Sequence, residues 1–283
     1  MKVRDKRFLF GADPEVFVYD SSKRRYIGGH GLTTGTKRRP RKVCWDIHVQ
    51  VDGMALEFNI LPAINSEDFV DRIHKGKRLL NQIVKEQGNY KVVARPTVTF
   101  RESEWDKAPN EAKILGCDPD FCAYDGVVIN EPPNAEVNFR TGAGHIAIGW
   151  AEDIPTTNKM FKQICAAMAR ELDATIGVAS LLFDNDKKRR TLYGKAGCFR
   201  PKPFGVEYRT LSNKWVKNQR LTTFVYDCAL IAVRNMMYID ERPLISTQAP
   251  EIREIINENN VKEAIYFLEH YKLMFPHHRD RKD

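Results

Sequence analysis

The order in which the hydrophobic pattern changes period constrains this chain most. Short segments of alternating apolar and polar residues at 8–19, 43–51 and 55–61 come first and predict strands. From Ser66, the expected N-cap, the residues Phe69, Val70, Ile73, Leu80, Ile83 and Val84 recur at helical spacing until Gly88, which predicts an amphipathic helix. A second strand-rich block covers 90–100 and 115–148. Thr157 is then the expected cap of a helix bearing Met160, Phe161, Ile164, Met168 and Leu172, and a further strand runs over 206–211. The segments 221–238, 250–258 and 261–275 read as helices, the second with Pro250 near its first turn. No Pro/Ser-rich linker separates these blocks. The expectation is therefore one α+β domain over 1–283 on a mostly antiparallel sheet, with a helical C-terminal part at 216–275.

Hydrophobic residues at 42% against 29% charged supply enough apolar surface for a core and exclude global disorder. Lys and Arg exceed Asp and Glu by 45 to 37, a net charge of +8, which suits nucleotides, nucleic acid or acidic peptides without choosing between them. The longest apolar run, around 224–233, is interrupted by Asp227, so no membrane span is expected. The apolar stretch at residues 8–10 is too short for a secretory leader, and the six cysteines form no CxxC pair. Reduced thiols and a cytoplasmic location are expected. One internal repeat aligns without gaps, GADPEVFVYD at 11–20 with GCDPDFCAYD at 116–125. It is either a shared Asp-Pro turn opening two strands or a duplicated half of a sheet.

Four segments combine charge and glycine in ways that packing does not require. In GADPEVF, strand alternation puts Asp13 and Glu15 on one side, where they are either solvated acids or oxygen ligands of the kind magnesium takes. Glu57 sits in the apolar strand of QVDGMALEFNILPA, so it either points to solvent from an edge or is held for a cation. In NFRTGAGHIAIG, glycines bracket His145. Either the imidazole ligates a metal and the amides bind anionic oxygens, or the histidine is a satisfied structural one. The segment 187–213 interleaves glycines with Lys187, Lys188, Arg189, Arg190, Lys195, Arg200, Lys202 and Arg209. Such a cluster can clamp a polyphosphate, and Glu207 and Arg209 share a strand face; the bland alternative is a basic surface, the expected role of Lys187, Lys188 and Arg189. The basic loop at 28–42, with four glycines, is expected to be mobile unless a ligand orders it.

Taken in order, GADPEVF, GTKRRP, VQVDGMALEFNILPA, GCDPDF, RTGAGHIAIG and YGKAGCFRPKPFGVEYRTLSN resemble the phage-type amidoligase family across most of 8–215. These are type 2 carboxylate-amine ligases, related to glutamate-cysteine ligase and glutamine synthetase. The resemblance implies a curved antiparallel sheet with packed helices, cradling ATP and Mg, and amide formation through an acyl phosphate. Carried over by motif, Asp13, Glu15, Glu57, His145 and Glu207 are the implied metal ligands. Arg209 and Arg200 are the implied catalytic residues, and Lys37, Arg190, Lys195, Arg200 and Arg209 the implied nucleotide or acyl-phosphate contacts. Glu136 rivals Glu57 as a ligand, and Asp173 is one candidate base among the carboxylates. The family pattern has His-Ile-His after the glycines, where this chain has His145-Ile146-Ala147. The implied substrates are a carboxylate and an amine on a peptide, amino acid, polyamine or cell-wall fragment. The competing expectation is a basic nucleic-acid-binding or virion-associated protein with lapsed catalysis, which has no use for these carboxylates. No HExxH or nucleophile-elbow string favours a hydrolase. Non-specific nucleic-acid affinity is expected under either reading.

Overall fold

The computed structural model describes residues 8–114, 120–130, 137–150, 156–239, 241 and 243–276. Its strands, in chain order, are β1 (Leu9–Ala12), β2 (Glu15–Asp20), β3 (Arg25–Ile27), β4 (Arg41–Lys42), β5 (Ile47–Asp52), β6 (Ala55–Ile60) and β7 (Tyr90–Val93). There follow β8 (Thr97–Thr99), β9 (Asp120–Cys122), β10 (Val128–Asn130), β11 (Phe139–Thr141), β12 (Ile146–Gly149), β13 (Cys198–Lys202) and β14 (Gly205–Tyr208). Among the described residues the expected single sheet is three: a two-stranded antiparallel pair, β11-β8, and two larger sheets. Of the larger two, the first runs β1-β12-β14-β13-β9-β10 and the second β3-β2-β6-β5-β4, with β7 also on β2, and every pairing is antiparallel. The alternating segment at 8–19 hides the division. Pro14 has no N–H to continue a ladder, so the chain leaves the first sheet after Ala12 and joins the second at Glu15.

Alternation gives each of these sheets one apolar face and one that carries the charged residues, although on the second sheet Phe17 and Ala55 share the charged face and pack with Val98 and Phe100 in a smaller cluster. Ile146, Ile148, Val206, Tyr208 and Phe199 of the first sheet are buried, as are Val16, Val18, Leu56, Phe58 and Val49 of the second. All belong to one core with the long helices. The Ser66–Lys85 helix buries Phe69, Ile73, Leu80 and Val84 and presents Gly76 where a Cβ would lie 2.5 Å from the Phe58 ring, so glycine sets how closely helix and sheet approach. Its cap is Asn65, one residue before the expected Ser66, accepting from the Asp68 amide at 2.8 Å. The Gln219–Met237 helix joins the two halves through Tyr226, whose ring lies 4.7 Å from Phe10 and 5.5 Å from Phe69.

The Phe161–Leu172 helix starts later than Thr157 predicts, because Asn158 takes the turn: its side chain accepts from the Met160 amide at 2.8 Å. The helix passes into a π-helical turn, Asp173–Gly177, and Ile252–Asn257 and Val261–His270 complete the C-terminal helices. Among the described residues no helix is long and apolar enough to cross a membrane. The loop at 28–42 is tied down at Gly35, whose carbonyl accepts from the Val51 amide at 3.0 Å and which abuts the Val49 carbonyl too closely for any side chain.

Candidate active site

The charged faces of the two larger sheets line one cleft of about 680 Å³. On the second sheet, Glu15 pairs in register with Glu57 and Glu57 with Gln50, so three polar residues form a row across adjacent strands. The Gln50 amide donates to Glu57 at 2.8 Å, and the Ala143 amide donates to Glu15 at 2.9 Å. Asp52 completes a group with Glu15 and Glu57 in which one oxygen from each lies within 4.8 Å of the others, and Lys37 reaches Asp52 at 2.8 Å. Strand β6 lies between β2 and β5, so the alternative of an edge carboxylate at Glu57 does not hold.

On the first sheet, Arg200 pairs with Glu207, Glu207 with Ala147, and Ala147 with Gly11. His145 Nδ1 stands 3.5 Å from Asp13 Oδ1 and 3.6 Å from Glu207 Oε1, a second group of ligand type. Cations surround it. Lys202 Nζ is 2.6 Å from Glu207 and Arg200 Nη1 3.5 Å, while Arg209 donates to Glu207 through Nη1 and to Asp120 through Nε at 2.9 Å. Adjacent positions on antiparallel strands bring these charges together, which is why Lys202, two residues beyond Arg200, faces the same way.

Burial and like charge act on the acids. Burial, then Glu207, pushes Asp13 up to about 8, although 31% of its side chain stays open to the cleft and water screens part of this. Burial, then Asp52, raises Glu15 to about 7, and burial with Asp13, Asp52 and Glu15 raises Glu57 well above the ordinary range. Glu207 goes the other way: burial alone would raise it, but Arg209, Lys202 and Arg200 hold it below the ordinary carboxylate range. Burial and Arg209 keep His145 neutral, the form that ligates metals. Since neutral His145 adds no cationic charge, the arginines and Lys202 are what keep Glu207 ionised.

The single ligand set expected from the sequence thus divides in two: Asp13, His145 and Glu207 in one group, Glu15 and Glu57 with Asp52 in the other. Lys37, Arg200 and Arg209 line the same cleft. Arg190 does not: it is buried, donates to the Gly194 carbonyl at 3.2 Å and faces Asp184 and Tyr208. Lys195 is exposed, and its carbonyl accepts from Thr210 at 3.0 Å. Arg189, expected on the solvated surface, is fully buried on the cleft wall and donates to the Thr210 and Leu211 carbonyls at 2.8 Å each.

The glycine amides expected to be open to anions are occupied. Gly142 donates to Pro96 and Gly144 to Leu211, because both glycines serve close approach to the 212–213 backbone and side chain. Asp173 lies on the opposite side of β14 from Glu207, accepting from Tyr208, Tyr124, Thr210 and the Gly197 amide, so it is no base for the cleft. Ala147, where the resemblance led to the expectation of a second histidine, puts a methyl directly opposite Glu207. Glu136 and the first four residues of the second repeat lie outside the described residues.

Sequence reading missed Asp52, Asp120 and Gln50, gave Lys202 only as one of a basic cluster, and put Arg189 on the surface. A signal for Asp120 was present, since the repeat aligns it with Glu15. No curated protein matches the chain. Residues 158–263, which include Arg189, Arg200, Lys202, Glu207 and Arg209, match the model of the phage phiEco32-like COOH.NH2 ligase-type 2 family, and that match supports a carboxylate-amine ligase in general.

Proposed function

We propose that the chain is an ATP- and Mg²⁺-dependent carboxylate-amine ligase working through an acyl phosphate, as one catalytic domain with a glutamine synthetase-like site. The observation that carries this reading is the pairing, in one cleft, of two acidic groups with Arg200, Lys202 and Arg209. Acids pressed together until burial and mutual repulsion favour their protonated forms are a fitting donor set for divalent cations, which prefer oxygen ligands. Asp13, His145 and Glu207 would hold one cation, and Glu15, Asp52 and Glu57 another. Magnesium, when bound, offsets the charge brought together by triphosphate and carboxylate.

The chain's own residues do the rest. Arg209 is held by Glu207 and Asp120, so its guanidinium is oriented before any substrate arrives. Arg200 and Lys202 extend the positive wall along β13, where they offset charge on the transferring phosphoryl group. A substrate carboxylate oxygen attacks the γ-phosphorus, ADP leaves, and an amine nitrogen then displaces phosphate from the acyl carbon. The base that takes the amine's proton is unassigned. Lys37, reaching from the basic loop to Asp52, closes one side of the cleft.

The test is ADP release with Mg²⁺ against panels of amino acids, polyamines and peptides, with mass detection of condensed products. A product heavier than its two substrates minus one water, or ADP release independent of both substrates, would sink the reading.

A further inference from the structure

The two register pairs joining β9 to β13 are Phe121 with Phe199 and Cys122 with Cys198. The Ala123 amide donates to the Gly197 carbonyl at 2.9 Å, which makes the adjoining Cys122–Cys198 pair a non-hydrogen-bonded one. In such pairs the Cα atoms lie about 4.5 Å apart and the side chains approach most closely. That separation falls inside the range of about 4.4 to 6.8 Å that a disulfide spans. Both thiols are free and each residue is 7% exposed. By alternation they share the polar face with Asp120 and Arg200, each two residues away. Asn130 ties the patch together, donating to Asp120 at 2.8 Å and to the Cys198 sulfur at 3.6 Å.

We propose that Cys122 and Cys198 form a reversible cross-strand disulfide that locks β9 onto β13 beside the cleft, where Asp120 holds Arg209. With hydrogen peroxide as the two-electron oxidant, one sulfur attacks the O–O bond to give a sulfenic acid and water. The second thiol's sulfur then displaces the hydroxyl from the sulfenic sulfur as water, so two thiols and one peroxide become one disulfide and two waters. Burial raises the Cys198 thiol well above the ordinary range, so the reaction quickens as pH rises. Formation of the bond is independent of the ligase reading.

The experiment treats the reduced full chain with hydrogen peroxide and maps its peptides without reduction. The expected result is a Cys122–Cys198 cross-link two hydrogens lighter than its parts, reversed by dithiothreitol. Cys198→Ser should lose the cross-link and leave Cys122 trapped by dimedone as sulfenic acid. Amide exchange over Asp120–Cys122 should slow several-fold in the oxidised wild type. Wild-type thiols that stay alkylatable, that pair with other cysteines or that stop as unlinked sulfenic or sulfinic acids would overturn the proposal, and a cross-link with unchanged exchange would overturn the locking of β9.

Discussion

Asp13 and Glu15 make the metal-free protein sensitive to pH in a direction opposite to that of an ordinary salt-bridged acid. Their folded-state values of about 8 and 7 exceed the unfolded ones, so the folded chain binds more protons between about pH 4 and 8. From these two acids stability is greatest below that window and is lost as pH rises through it; neutral His145, which takes up a proton only on unfolding, opposes them up to about pH 6.5. We expect the metal-free melting temperature to fall by roughly 5 to 10 °C from pH 5 to pH 8, and Mg²⁺ to raise it more at pH 8 than at pH 5. A flat profile with and without Mg²⁺ in thermal scans would count against the acidic groups as cation sites. Arg209→Ala should reduce turnover by about 100-fold or more, because it strips the cleft of a guanidinium that two carboxylates orient. Lys188→Ala should change turnover less than about twofold, since Lys188 lies over the Phe139 ring at 4.0 Å and bonds Thr99 at 3.5 Å, away from the acids. Initial-rate measurements decide between them. Glu207 and Arg209 were legible because alternation alone puts them on one face. The contacts of Asp52 with Glu57 and of Lys202 with Glu207 were not read, since they depend on hairpin register, which the turns after Asp52 and Lys202 set and strand alternation does not.

Elements were legible where one face of a period was apolar and a turn residue closed it. Strand β6 and the Ser66–Lys85 helix lie where the sequence puts them to within a residue or a few. Boundaries moved where a neighbouring polar residue bonded an amide at the helix start, as Asn65 does at the cap and Asn158 in the turn ahead of it. The short Lys187–Arg190 helix splits its reading: Lys187 and Lys188 are exposed as expected of solvated cations, yet Arg189 fills a buried niche lined by carbonyls that only the fold supplies. Helix and sheet meet at Gly76, whose missing side chain is occupied by Phe58. Gly76→Ala should therefore destabilise by about 1 to 3 kcal/mol despite alanine's better helix propensity. Urea unfolding checks this, and a stabilised variant would show that helix and sheet are not in such close contact.

At the scale of the molecule, the two larger antiparallel sheets turn their apolar faces to shared helices and their charged faces to one cleft. That arrangement was not legible, because the pattern at 8–19 reads as one strand until Pro14 is seen to divide it between sheets. The net charge of +8 and the exposed basic residues at 37–42 predict non-specific affinity for DNA on either functional reading. Backbone binding of that kind should be largely lost between about 50 and 200 mM salt, through counterion release. Stabilisation by Mg²⁺-ATP should persist at 200 mM salt and require the metal, since contacts inside a cleft are screened less than exposed charges. Specific DNA binding that survives at 200 mM salt, with no thermal shift from Mg²⁺-ATP, would move the assignment to a nucleic-acid binder.

The crossing at Asp13-Pro14-Glu15 also acts as a ruler. One carboxylate of each acidic group hangs from the same three residues, so their Cα atoms can never be more than about 7 Å apart. Hinge-like movement of one sheet against the other can widen the mouth of the cleft or tilt its walls. It cannot pull Asp13 and Glu15 away from each other, because the tether between them is one residue, Pro14, and two peptide bonds.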